Sequence, residues 1–92
     1  MSSIRVCRKH DLDAQQCGRV AEDLLNKLVQ KMGGSYTPEG EHYVYKHSTG
    51  VKAKVEPKQG ELNIDIKLGL MTRALAPKLE QEINRQLDKH FQ

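Results

Sequence analysis

Ninety-two residues suffice for one domain and not for two, and so small a core leaves little room for a deep catalytic cleft without a metal, cofactor or partner. Apolar residues at 37% and charged residues at 29% exclude a disordered chain, and no apolar run approaches the roughly 20 residues that a bilayer-spanning helix needs. Fifteen Lys and Arg against twelve Asp and Glu leave a net charge of +3, with the signs interspersed rather than gathered into the basic stripe of a dedicated nucleic-acid binder.

Ile4-Arg5-Val6-Cys7-Arg8 alternates apolar and polar residues with β-branched members, which predicts a half-buried strand. Ile4 and Val6 are expected inward and the two arginines toward water, as suits an edge strand. No secretory leader pattern precedes it, so the chain reads as cytoplasmic with Cys7 and Cys17 reduced. Asp13 is the expected N-cap of the first helix, with Gln16 as its capping-box partner. Cys17, Val20, Ala21, Leu24, Leu28 and Met32 recur at three and four residues, and Leu25 widens the stripe. This predicts one amphipathic helix from about Ala14 to Met32, ended by Gly33-Gly34.

Three strands are expected next, at 41–47, 51–56 and 61–68. Pro57-Lys58-Gln59-Gly60 reads as a four-residue hairpin loop, which sets Ala53 opposite Ile64 and Val51 opposite Ile66. In the preceding hairpin a three-residue loop ending at Gly50 is favoured over a two-residue Ser48-Thr49 loop. It places Tyr43 and Tyr45 on the inner face, opposite Val55 and Ala53. Leu75, Leu79, Ile83, Leu87 and Phe91 then form a four-residue ladder along a last helix reaching about His90. Pro77 must lie in the first turn of that helix, beginning near Ala76, or kink one that starts near Thr72.

The whole reads as an α+β domain over residues 1–92: a strand, a helix, a three-strand meander and a helix. The expected antiparallel four-stranded sheet has order 1-4-3-2, with both helices on its apolar face. The other face stays wet and carries the candidate basic surface Lys52, Lys54 and Lys67.

No constellation for catalysis emerges. The four histidines lack metal-ligand spacing with the cysteines, Cys17 falls on the buried helix stripe, and Gly33-Gly34 ends a helix rather than opening one, the wrong polarity for a phosphate loop. No cofactor is expected. Leu70, Met71 and Leu75 are the best candidates for an apolar contact patch.

His10-Asp11-Leu12 after a short strand, Gly50-Val51-Lys52-Ala53 in a hairpin, and Ile64-Asp65-Ile66-Lys67-Leu68-Gly69-Leu70-Met71 running into a helix with Glu80, Glu82 and Ile83 form a pattern along nearly the whole chain. It resembles the small bacterial polyhydroxyalkanoic acid system family proteins, also described as granule-region proteins. The family usually shows Gly where this chain has Ala53, and its hairpin near Ser48-Thr49 is one residue shorter. The resemblance implies association with storage-polyester genes or granules. It implies no established reaction and no catalytic residue. The expectation is therefore a non-enzymatic accessory protein that contacts a protein or a granule surface. The alternatives are a carrier with an apolar pocket between sheet and helices and, ranked below it, a nucleic-acid binder using the lysine face. A homodimer through the edge strand at 41–47 is compatible with each.

Overall fold

The first helix, α1 (Ala14–Met32), keeps the predicted boundaries. The Asp13 carboxylate accepts from the Gln16 backbone N–H at 2.8 Å, and the Gln16 side chain accepts from the Asp13 N–H at 3.3 Å. Two otherwise unpaired N–H groups at the helix start are thereby satisfied. The computed structural model describes residues 2–48, 50–68 and 76–91. The remaining elements are β1 (Ser2–Lys9), β2 (Ser35–Glu39), β3 (His42–Lys46), β4 (Lys52–Lys58), β5 (Glu61–Leu68) and α2 (Ala76–His90). Pro77 lies in the first turn of the described α2, where its missing N–H costs no internal hydrogen bond.

The sheet is antiparallel, as expected, but it has five strands in the order β1-β5-β4-β3-β2, not four in the order 1-4-3-2. The additional strand is β2. It returns alongside β3 through a Gly40-Glu41 turn, with Glu39 paired to His42. Gly40 has φ +65° at the first turn position, as a type II′ hairpin requires. Gly34 has φ +91°, and a Cβ there would stand 2.7 Å from the Lys46 carbonyl oxygen and 2.9 Å from the Tyr45 hydroxyl. The close approach that seats β2 on β3 thus needs glycine. Pro38 is tolerated because β2 is an outermost strand. Since β2 covers β3, the segment 41–47 is not the free edge it was expected to be, and it offers no open strand through which a homodimer could pair.

Two further expectations change. The β4–β5 loop is two residues long, Gln59-Gly60, with Lys58 paired to Glu61. Val55 therefore lies opposite Ile64 and Ala53 opposite Ile66, two residues from the predicted register. An even slip preserves the faces, so the apolar sets still coincide. The turn is held from outside: Gly60 N–H donates to the Leu12 carbonyl, and the Gly60 carbonyl accepts from His10 N–H. Arg8 shares parity with Ile4 and Val6 and lies opposite Leu62, on the inner face. Its guanidinium reaches α2, donating to Asp88 at 2.6 Å and Asn84 at 3.2 Å.

Both helices pack on one face. Leu24, Leu25 and Leu28 of α1 and Leu79, Ile83 and Leu87 of α2 join one buried cluster with the inward residues of β4 and β5. Tyr43 and Tyr45 are on this side, opposite Val55 and Ala53, as the Gly50 loop predicts. Tyr45 is fully buried and donates to the Gly33 carbonyl at 2.6 Å. Tyr43, half-buried, donates to Glu22 at 2.7 Å. That bond, then burial, pushes its phenol up to about 12. The helices are tied to each other by Lys31 of α1 and Glu82 of α2 at 2.9 Å. Hydrogen bonds from Arg85, Lys31 and Gln86 hold the Glu82 carboxyl down at about 2.

Candidate functional site

The residues that alternate with the core form the outer face of the sheet, on which no described helix lies. Cross-strand pairing organises them into rungs. The first rung runs Ser3, Lys67, Lys52, Lys46, Ser35. Three lysines thus stand directly abreast on β5, β4 and β3. All three are exposed, and none forms an ion pair with a described residue. Like charges placed opposite each other in a sheet are unfavourable, so this rung is stable only because the rest of the fold supports it.

The second rung is different. Arg5 donates to Asp65 at 2.8 Å, and Lys54 lies 3.7 Å from Glu56 of its own strand. Lys54 is followed along the rung by Val44 and Thr37. Val44 is 6% exposed although no helix covers it. Longer polar side chains rise around it and leave a shallow depression of about 530 Å³, lined by Arg5, Lys52, Lys54 and Lys67 and also by the carboxylates Asp65 and Glu39. The third rung turns acidic, with Glu56 and Glu39 flanking His42. The face is therefore graded: three lysines abreast on the first rung, neutralised pairs on the second, carboxylates on the third, and mixed charge, Lys9, Glu61 and Lys58, on the last.

The structure brings the predicted Lys52, Lys54 and Lys67 onto one surface. It separates their roles, because Lys54 has a carboxylate partner and the other two have none among the described residues. Lys46 was not among the predicted residues. The signal for it is register: the Gly50 loop that puts Tyr45 opposite Ala53 also puts Lys46 opposite Lys52. The predicted apolar patch Leu70, Met71 and Leu75 lies outside the described residues. All three tyrosines belong to the inner side, so among the described residues the lysine face has no aromatic platform for stacking bases.

Elsewhere the candidate groups serve packing. The Cys17 thiol is fully buried, and desolvation pushes its pKa up, the opposite of an activated thiolate. The His10 ring stacks on Phe91 with centroids 4.8 Å apart, and its Nδ1 accepts from the Leu12 N–H at 2.9 Å. Among the described residues no cluster of three or more His, Cys, Asp or Glu could hold a metal ion. No described helix is long and apolar enough to cross a membrane.

A family model described as "Putative polyhydroxyalkanoic acid system protein" matches residues 4–91, and the chain belongs to that family. A search of curated proteins returns no match.

Proposed function

We propose that the chain is a non-enzymatic accessory protein of polyhydroxyalkanoate metabolism, cytoplasmic and associated with storage granules, which works by docking its open sheet face on a partner. The family supplies the metabolic setting. The observation that carries the docking reading is the outer rung of three unpaired lysines on adjacent strands. The inner face and both helix stripes are consumed by the core, whereas no described helix covers the outer face, which is left for recognition. Its lysines carry a repulsion that folding alone does not require.

Co-sedimentation with isolated polyhydroxyalkanoate granules that retain their coat tests this. The wild type should pellet with granules and stay in solution without them. The Lys46→Glu, Lys52→Glu, Lys67→Glu triple variant should remain in the supernatant. A wild type that stays in solution with granules present would overturn the reading. A second arm carries Leu70→Asp and Met71→Asp. If only that variant fails to pellet, the contact belongs to the apolar segment and not to the sheet.

A further inference from the structure

Resting on that reading, we infer that the lysine rung is the docking surface for a partner-protein helix bearing a stripe of acidic residues, laid across the strands. Three geometric facts select this occupant.

The first is spacing. Neighbouring strands lie about 4.8 Å apart, so the Cα atoms of Lys46, Lys52 and Lys67 fall on a line roughly 10 Å long, perpendicular to the strands. A helix repeats its side chains on one face every turn, about 5.4 Å. Carboxylates at i, i+4 and i+7 therefore meet the three ammonium groups one to one.

The second is width. Successive rungs on one face are roughly 6.8 Å apart, and a helix with its side chains is about 10–12 Å across. A helix whose axis runs between the lysine rung and the next covers both and ends short of the third rung, which carries Glu39 and Glu56. Its flank settles over the depression at Val44. A planar array of lipid phosphates would instead press on the carboxylates of the same face.

The third is what the face lacks. Among the described residues it carries no Tyr, Phe or Trp, and its ring His42 sits between carboxylates on the third rung, which disfavours base stacking by a single strand. Five strands span about 19 Å, too broad for the roughly 12 Å major groove of a duplex. Charge alone would leave several polyanions as partners; spacing and width favour the helix.

The test uses two labelled Ala- and Gln-rich helical peptides of identical composition. One carries its glutamates at i, i+4, i+7 and i+11, the other distributes them around the helix. Binding is read by fluorescence anisotropy at low salt, since screening weakens exposed charge pairs. The aligned peptide should bind the wild type about tenfold more tightly than the distributed one, as expected for three exposed ion pairs. The Lys46→Gln, Lys52→Gln, Lys67→Gln variant should lose that preference. Lys9→Gln, which removes a lysine from the opposite end of the same face, should keep it. Thermal melts monitored by circular dichroism confirm that the variants are folded.

Equal binding of the two peptides by the wild type overturns the inference. So does lysine-dependent binding of phosphatidylglycerol vesicles or duplex DNA with no peptide preference, because the face would then serve another polyanion. Loss of granule sedimentation with the peptide preference intact removes the polyester reading and leaves the docking surface standing. Granule sedimentation without the peptide preference does the reverse.

Discussion

Ile66 and Lys67 are neighbours in β5, yet they belong to opposite worlds. Ile66 is fully buried between Ile4 and Ala53 under the helices. Lys67 stands in water beside Lys52. The contrast holds along most of the sheet, with Arg8 on the inner face and the buried Val44 on the outer face as exceptions. On the inner face each rung gathers apolar surface whose removal from water stabilises the fold. On the outer face one rung gathers three like charges. The two faces share every backbone hydrogen bond, so the difference between them is purely one of side chains. Residues inside answer to packing. Residues outside are released from it, and where they oppose stability they point to recognition.

The sharpest way to break this comparison is to truncate the neighbours separately. Ile66→Ala should cost about 2–5 kcal/mol of unfolding free energy in urea titrations. Lys67→Ala should stay within about 0.5 kcal/mol of the wild type. Similar losses at the two positions would mean that the outer face is also load-sharing core.

Gly34→Ala probes the point where the two sides of β3 are set. The added methyl meets the Lys46 carbonyl and the Tyr45 hydroxyl, at a backbone angle that L-residues avoid. The expected loss is about 1–3 kcal/mol, with faster amide exchange in β2 than in β5. Unchanged exchange in β2 would show that the close approach is not what seats that strand.

The covering layer can be loosened by acid. The Glu82 carboxyl titrates at about 2 in the folded chain against an ordinary 4.5. The unfolded chain therefore takes up its proton first as pH falls. The stabilisation is complete above about 4.5 and is lost progressively as pH drops toward about 2. Glu82→Gln should lower stability at neutral pH and flatten its slope between those values in pH-dependent urea unfolding. A variant with the wild-type acid slope would place the effect elsewhere.

The smallest effect has the opposite sign. Lys52→Glu puts a carboxylate between Lys46 and Lys67, and should raise stability by a few tenths of a kcal/mol while weakening the proposed docking. A variant that is both less stable and fully competent to bind would remove the argument from charge repulsion.

Much of this architecture was legible in the amino-acid order, for definable reasons. The capping pair Asp13 and Gln16 and a stripe with helical period delimited α1. Gly50, able to take a left-handed backbone, fixed the register that buries Tyr45. What escaped was non-local. Ser35–Glu39 has one large apolar residue and a proline, so its own pattern is too weak to announce a strand; β3 and the Gly34 approach make it one. Pro57 reads as a turn residue, but its segment is drawn into β4 because Gly60 is tethered to Leu12 and His10. Residue type alone sends Arg8 to water, although its parity is that of Val6. In the candidate site, parity identified Lys52, Lys54 and Lys67 as outward. It could not distinguish a lysine with a carboxylate beside it from one without, nor align Lys46 with its neighbours. The second depends on which strand lies next to which; the first does so only in part, since Glu56, the partner of Lys54, lies in the same strand.

The placement of β1 has a consequence for how the chain is made. Ser3 pairs with Lys67 and Lys9 with Glu61, so β1 leaves the ribosome before the other strands of this sheet and waits for the last of them. At synthesis rates of about 5–20 residues per second, that delay is on the order of 3–12 seconds. Meanwhile the hairpins of β2, β3 and β4, whose partners are close in the chain, can already assemble. The nascent chain must therefore carry an apolar ribbon, Ile4 and Val6, unclaimed until β5 has followed. The arginines interleaved with that ribbon, Arg5 and Arg8, keep it from being claimed by the wrong neighbour.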